Sequence, residues 1–219
     1  MGQSLTSSEG ESTVAETFGA ALNLDGYTEV PDGKIAFVVT YLEMLQAPAK
    51  PLAPPRSDVT LERWSAPDVA SYRELFKEIG EDWIWFSRLE QDEDVLAKTL
   101  AEPARELYQP MKDGKSVGTL ELDYANPAEP VVAYFGLVPG AIGGGLGRWL
   151  MGQAVEMAWA RPETKRLWLH TCTGDSPQAI HFYQSCGFKP YKRSIEVADD
   201  PRLKGLIGKD RAPHVPVIG

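Results

Sequence analysis

The stretch from Leu137 to Leu150, LVPGAIGGGLGRWL, contains the residue types and spacing best suited to holding an anion. Its five glycines fall within eight residues, between an apolar run and an amphipathic pattern. Glycine has no Cβ and tolerates positive φ, so such a loop can curl its backbone N–H groups around a phosphate. The helix predicted after the loop directs its positive dipole end to the same place. The stretch therefore predicts a phosphate or diphosphate site.

Three phosphate motifs compete for this loop. A P-loop needs Lys-Ser or Lys-Thr after its last glycine, and neither pair is present. A dinucleotide fingerprint counted from Gly143 or Gly145 requires a small residue where Arg148 or Leu150 stands. A coenzyme A loop fits the order of a strand, Val-Pro, a loop ending in Gly-x-Gly, and a helix.

A second motif follows one predicted strand later. Its residues run Ser176-Pro177-Gln178-Ala179-Ile180-His181-Phe182-Tyr183 and close with Cys186-Gly187-Phe188. Together with Ile142-Gly143-Gly144-Gly145-Leu146-Gly147, this order resembles the GCN5-related N-acetyltransferase (GNAT) family. The two motifs correspond to its [Q/R]-x-x-G-x-[G/A] loop and its N-x-x-A-x-x-x-Y…GF segment. The resemblance covers residues 131 to 192 and departs at Ile142 and Ser176, which replace the usual Gln or Arg and the usual Asn.

The resemblance implies an α/β fold with a mixed, mostly antiparallel central sheet, flanking helices and a splayed parallel strand pair at the cofactor site. Periodicity and turn signals alone predict a compatible series of elements. The predicted strands are Lys34–Met44, Ala104–Met111, Ser116–Tyr124, Val131–Val138, Arg166–Cys172 and Phe188–Val197. The predicted helices are Asp68–Ile79, Glu93–Leu100, Leu146–Ala158 and one from Ser176-Pro177 to Gly187, with Ser176 as its N-cap.

Composition divides the chain into three parts. Residues 1–26 are small and polar and are expected to form a flexible lead-in. Residues 27–198 carry the predicted acyltransferase domain. Residues 199–219 are rich in proline and are expected to form a tail that is disordered or laid on the surface.

The resemblance implies acetyl-CoA as the cofactor and assigns residues to hold it. The backbone N–H groups of Phe135 and Leu137 would meet the thioester carbonyl and the pantetheine arm. Arg148 would compensate for Ile142 through charge-assisted hydrogen bonds. The full predicted cofactor set is Phe135, Leu137, Val138, Gly143, Gly144, Gly145, Leu146, Gly147, Arg148, Ser176, Ala179 and Tyr183.

The resemblance also implies direct acetyl transfer to an amine, with Tyr183 as the general acid for the thiolate leaving group. Without it, a core tyrosine in an amphipathic helix is an equal interpretation. The base is open among Glu121, Asp123, Glu129, His170 and a water chain, with Glu121 and Asp123 on one face of their predicted strand. Cys172 and Cys186 are not expected to be nucleophiles.

Trp83 and Trp85 lie within a dense aromatic cluster, EDWIWFSRL. Such a cluster packs a core or lines a pocket, and we treat both residues as candidates for the acceptor site. The expected acceptor is the primary amine of a small molecule or a peptide. A non-catalytic acyl-CoA-binding or sensor domain on the same fold is the alternative, and a nucleotide-dependent enzyme is a more distant one.

Charge and composition exclude several other classes. The net charge of −9 argues against a nucleic-acid partner, and no apolar run is long enough for a membrane span. The two cysteines and three histidines form no metal signature. Because no secretory signal is apparent and the cysteines are expected to be reduced, we expect a cytoplasmic protein, either a monomer or a homodimer.

Overall fold

A computed structural model describes residues 22–65 and 67–219. Residues 31–219 form one compact unit, and the chain before Pro31 belongs to another. In that first unit, the backbone N–H of Asn23 donates to the Thr28 hydroxyl at 2.8 Å, which closes a short turn. Most of the predicted lead-in, residues 1–21, lies outside the described residues.

The second unit contains eight strands and four α-helices among its described residues. The strands are β1 Lys34–Met44, β2 Thr60–Arg63, β3 Arg105–Lys112, β4 Lys115–Ser116, β5 Gly118–Asp123, β6 Val131–Leu137, β7 Leu167–Cys172 and β8 Lys189–Asp199. The helices are α1 Val69–Gly80, α2 Glu93–Leu100, α3 Leu146–Trp159 and α4 Ala179–Ser185. None of the described helices is long and apolar enough to cross a membrane.

The strands form one mixed sheet in the order β2-β3-β5-β6-β7-β1-β8, with β4 paired to β3. Every pairing is antiparallel except that of β6 with β7. The parallel pair is joined at one position, Val131 with Trp168, and the strands have no further pairing beyond it. This confirms the predicted fold class, including a splayed parallel pair.

Helices cover both faces of the sheet. On β6, Phe135 belongs to the large core around α3, whereas its neighbour Tyr134 packs against the cluster that includes Phe76 of α1. Adjacent residues of a strand point to opposite faces, so the two clusters lie on opposite sides of the sheet. The helix α1 begins where predicted, because the Asp68 carboxylate accepts the backbone N–H of Ser71 at 2.9 Å.

The predicted hairpin forms as expected, with its turn at Asp113 and Gly114. Both residues have positive φ, 50° and 73°, and Lys112 pairs with Lys115 across them. Such a two-residue turn matches the twist of the flanking strands. Strand β2 was not predicted, because its four residues, TLER, carry no clear alternation.

The prediction of a surface tail after residue 198 is wrong for this part of the chain. Strand β8 continues to Asp199, and the side chains of Asp200 and Arg202 are both 1% exposed. The Arg202 guanidinium pairs with Asp200 and donates to the carbonyl oxygens of Arg211, Ala212 and Val215. These acceptors satisfy a buried cation and fix the segment to the unit.

Candidate active site

The glycine loop between β6 and α3 has a backbone that only glycine adopts readily. The φ angles of Gly143, Gly144 and Gly145 are 105°, 55° and 77°. Three consecutive residues with positive φ would strain any L side chain. A Cβ at Gly143 or Gly144 would have no protein atom within 4 Å, so the glycines are required by conformation and leave open space beside the loop.

Five backbone N–H groups of this loop have no hydrogen-bond partner within the described residues. They belong to Gly143, Gly144, Gly145, Gly147 and Arg148. A helix leaves its first N–H groups unpaired, and here the curled loop adds three more. A cluster of free amides with open space beside it suits the oxygens of a diphosphate.

Leu146 and Val138 differ from the rest of the predicted cofactor set. The N–H of Leu146 donates to the Gly143 carbonyl at 3.2 Å, and its side chain is 5% exposed. The N–H of Val138 donates to Val117 of the sheet at 3.1 Å, and its carbonyl accepts the N–H of Ala141 at 2.9 Å. Neither residue has a free backbone donor, so neither can hold the cofactor through its own N–H group.

The predicted role of the Arg148 side chain is also corrected. Its guanidinium donates to the carbonyl oxygen of Ser185 at 3.2 Å and to the Ser185 hydroxyl at 2.6 Å. These bonds join α3 to the end of α4. The Ile142 side chain, at the position of the usual Gln or Arg, is 66% exposed.

The cation beside the loop is Arg56, which the sequence analysis did not identify. Its Nη1 donates to the Gly144 carbonyl at 2.6 Å, while Nε and Nη2 donate to the two oxygens of Asp58 at 2.9 and 2.7 Å. Arg56 lies in the proline-rich connection between β1 and β2. The same ion pair lowers the pKa of Asp58 to about 2, so Arg56 and Asp58 both stay charged at neutral pH.

The separation of β6 from β7 leaves backbone donors facing the gap. The N–H of Val138 points into the sheet toward Val117. Because donors alternate in direction along a strand, the N–H groups of Leu137 and Phe135 point to the opposite edge, where β7 has diverged. This is the direction that the predicted contact with a thioester requires.

A cavity of about 390 Å³ passes through this gap. On the α3 side it is lined by Gly147, Phe135, Phe182 and Tyr183, and on the α1 side by residues that include both predicted tryptophans. Trp85 packs against Phe76 and Tyr134, with ring centroids 5.2 and 5.5 Å apart. Trp85 therefore both packs a core and lines the cavity, whereas Trp83 lines the cavity and lies against His214.

Tyr183 lines the cavity from α4, where Phe135 and Phe182 lie against its ring at centroid distances of 6.2 and 5.5 Å. No partner for its hydroxyl is found within the described part of the chain. Burial, and then the negative charge of Asp175, raise the pKa of this phenol well above its ordinary value. The hydroxyl therefore keeps its proton at neutral pH.

The two predicted glutamates do not line this cavity. Glu121 is fully buried and accepts hydrogen bonds from Arg88, Arg105 and the Tyr72 hydroxyl. Glu129 lies before β6, where its carboxylate pairs with Arg166 at 3.0 Å. Both carboxylates are thus engaged in ion pairs away from the proposed reacting atoms, which argues against either as the base.

The ionisable groups that do line the cavity are His170, Asp175 and Glu196, together with the thiol of Cys172. His170 is exposed on β7 instead of lying within the core, and its ring is 5.5 Å from that of Tyr41. The sequence analysis missed Asp175 because it stands in a turn, next to the second motif but outside it.

The cysteines are free thiols. Cys186 is buried, and burial together with Asp175 raises the pKa of Cys172 to about 11. A thiol that holds its proton at neutral pH is a poor nucleophile.

The second motif begins as a turn instead of a helix. Ser176 and Ala179 line the cavity, but α4 starts at Ala179, and the Ser176 hydroxyl donates to the side-chain oxygen of Gln178 at 2.8 Å. Ser176 is therefore not the N-cap that was predicted.

Comparison with known proteins agrees with this geometry. The sequence model of the Acetyltransferase (GNAT) family matches residues 70–188, just over half of the chain. A comparison with curated protein sequences gave no match.

Solved structures share the fold at low sequence identity. A conserved protein of unknown function from Staphylococcus epidermidis has a TM-score of 0.54 and 15% identity, covering 77% of this chain and 64% of its own. A GCN5-related N-acetyltransferase from Kribbella flavida has a TM-score of 0.51 and 21% identity, covering 79% and 63%. The chain thus spans slightly less than two thirds of these two proteins.

A third structure, a variant of spermidine N-acetyltransferase from Vibrio cholerae, has a TM-score of 0.51 and 18% identity, covering 67% of this chain and 96% of its own. These likenesses establish the fold, and the matched sequence model establishes the family. The chain belongs to the GNAT family of acetyltransferases.

Proposed function

We propose that this protein transfers an acetyl group from acetyl-CoA directly to the primary amine of a small molecule. One observation carries the proposal: a single cavity joins the glycine loop, the Tyr183 hydroxyl and an aromatic wall through the gap between β6 and β7. A donor and an acceptor entering from opposite faces of the sheet would meet inside that gap.

The residues present fit coenzyme A. The free amides of the glycine loop would hold the diphosphate, and Arg56 would supply the positive charge that Ile142 lacks. The N–H groups of Phe135 and Leu137 would hold the thioester carbonyl and the pantetheine arm. Acetyl-CoA supplies the activated acyl group.

The remaining steps move protons and exchange one bond. His170 or a water accepts a proton from the ammonium group, and the lone pair of the resulting amine attacks the thioester carbonyl. The new C–N bond forms as the C–S bond breaks, and Tyr183 donates its proton to the departing thiolate. The nitrogen loses its second proton to solvent, and solvent returns a proton to Tyr183, so the products are a neutral acetamide, free thiol and the one proton released from the ammonium.

A binding or sensor function is the second candidate, and one observation favours it. The two glutamates predicted as bases are engaged in ion pairs outside the cavity. A protein of this kind would bind acetyl-CoA through the same loop but would not release thiol.

The two functions are separated by incubating the protein with acetyl-CoA and a panel of amines while thiol release is measured. The proposed enzyme releases thiol in an amine-dependent reaction and forms an acetamide of the expected mass. Saturable CoA binding with thiol release no faster than in buffer, across the whole panel, would indicate a sensor. Gly147→Val provides a matched negative control, because its side chain would enter the cavity beside Phe182 and Leu137.

A further inference from the structure

The α1 side of the cavity combines an aromatic wall with negative charge. The wall is formed by Phe37, Trp83, Trp85 and Phe86. Within the described part of the chain, the charged side chains that line the cavity are those of Asp175 and Glu196. No lysine or arginine is found among those lining residues. The acceptor side thus offers counter-charges for a cation and none for an anion.

Asp175 is held firmly in this position. One carboxylate oxygen accepts the Trp85 indole N–H at 3.1 Å, and the other accepts the Thr171 hydroxyl at 2.6 Å and the Cys172 N–H at 3.0 Å. A carboxylate has about four acceptor sites, so one remains for a ligand. The same contacts tie Asp175 to the end of β7 and to the tryptophan wall.

The charge of Asp175 acts on the catalytic side as well. It raises the pKa of both Tyr183 and Cys172, in each case second to burial. Asp175 lines the same cavity as Tyr183 and Cys172, and its charge acts on both groups.

Building on the proposed acetyltransferase function, we propose that the acceptor is a primary amine on a compact, otherwise uncharged aromatic or aliphatic body. Asp175 receives the ammonium group, and the body packs against Trp83, Trp85 and Phe86. A buried ammonium needs a counter-charge, and an aromatic wall adds a favourable contact with the cation.

The charge pattern discriminates against two common kinds of amine. A free amino acid would place its carboxylate near Asp175 and Glu196 with no cation to neutralise it. A polyamine would bring further ammonium groups into the cavity, where the one free acceptor site of Asp175 is already occupied and Glu196 is exposed to solvent on β8. Contact with the aromatic wall is weak for each cation and does not offset the hydration that each further ammonium loses. The cavity is also shared with the pantetheine arm, so it has little space for a long peptide.

The test compares acetylation of four amines at equal concentrations of neutral amine: 2-phenylethylamine, phenylalaninamide, phenylalanine and spermidine. Phenylalaninamide and phenylalanine differ chiefly in the charge of one group. We expect kcat/KM for the first two to agree within about tenfold and to exceed the last two by roughly a hundredfold. Equal or faster acetylation of phenylalanine or spermidine would overturn the proposal.

A substitution then tests whether Asp175 causes this preference among amines. Asp175→Asn keeps an acceptor for the Trp85 indole but removes the charge. It should raise KM for 2-phenylethylamine roughly tenfold, leave CoA affinity unchanged, and reduce the preference for phenylalaninamide over phenylalanine. Asp94→Asn, an exposed position on α2, is the control.

Failure of this inference differs from failure of the proposed function. If Asp175→Asn lowers the rates with all amines equally, Asp175 has only a structural role and the inference is wrong. If the wild-type protein binds CoA but acetylates none of the four amines or the wider panel, the acetyltransferase function itself fails, and the inference fails with it.

Discussion

Arg56 and Gly144 are joined by a hydrogen bond of 2.6 Å between a guanidinium and a backbone carbonyl, although 88 residues separate them in sequence. Gly144 is the middle of three glycines with positive φ. Because Asp58 holds the other edge of the same guanidinium, the proline-rich connection fixes the glycine loop in its curled conformation. The fold thus brings a cation to a loop with five free amides.

The first prediction concerns this cation. Arg56→Gln should weaken CoA binding roughly tenfold, the size expected when one charge-assisted hydrogen bond is lost. Affinity for pantetheine, which has no diphosphate, should be unaffected. Titration calorimetry with both ligands checks this, with Arg63→Gln on β2 as the control. Equal weakening for the two ligands would show that Arg56 acts on the fold instead of on the phosphates.

The second prediction concerns space at Gly147. A Cβ there would lie 3.8 Å from Phe182 and 3.9 Å from Leu137, which are ordinary contacts, so Gly147→Ala should fold and bind CoA. The larger side chain of Gly147→Val would extend into the cavity and abolish binding, with a melting temperature close to that of the alanine variant. Gly140→Val, at a position with no atom within 4 Å of a Cβ, should bind normally. Normal binding by Gly147→Val would place the cofactor elsewhere.

The third prediction concerns Tyr183 and pH. Burial, then Asp175, raise the pKa of the phenol, so its acidic form persists as the pH rises past the ordinary tyrosine value of about 10. The rate should therefore rise with pH as the amine loses its proton and show no decline below about pH 10. Tyr183→Phe should slow turnover at every pH with nearly unchanged CoA affinity. A decline between pH 8 and 10 that disappears in the phenylalanine variant would contradict the direction of this shift.

Sequence reasoning located the glycine loop and the Asp113-Gly114 turn because positive φ is a local demand that glycine meets in any context. It found Trp85 and Tyr183 through aromatic spacing and motif order. Arg56 could not be predicted, because a proline-rich connection has no hydrophobic periodicity from which the position of a side chain could be inferred. The backbone conformation of the glycine loop is therefore encoded by its local sequence, whereas the contacts of Arg56 form only when the chain folds.

Two other features of the structure depend on the burial of a charged side chain, which hydrophobic periodicity does not determine. The alternation of β5 placed Glu121 and Asp123 on one face, and Arg105 does contact both, but the pattern could not show that this face is covered by α1 and Arg88. The burial of Arg202 depends on acceptors spread from Asp200 to Val215. Composition alone made that segment resemble a tail.

The fourth prediction tests the role of Glu121. Glu121→Gln leaves the buried Arg88 and Arg105 without their shared anion, so it should destabilise the fold by about 3–5 kcal/mol. The folded fraction should keep its turnover, because Glu121 does not line the cavity. Glu129→Gln, in a half-buried pair with Arg166, should cost about 1 kcal/mol. Urea unfolding and initial rates measure both quantities. Loss of turnover at unchanged stability would restore Glu121 as a catalytic candidate.

The position of the coenzyme A diphosphate in a crystal structure of the complex tests the central claim most directly. We expect its oxygens to accept hydrogen bonds of about 2.7–3.2 Å from the N–H groups of Gly143, Gly144, Gly145 and Gly147, with the thiol in the gap near Tyr183. A diphosphate bound away from these amides, with the glycine loop unchanged, would contradict the account.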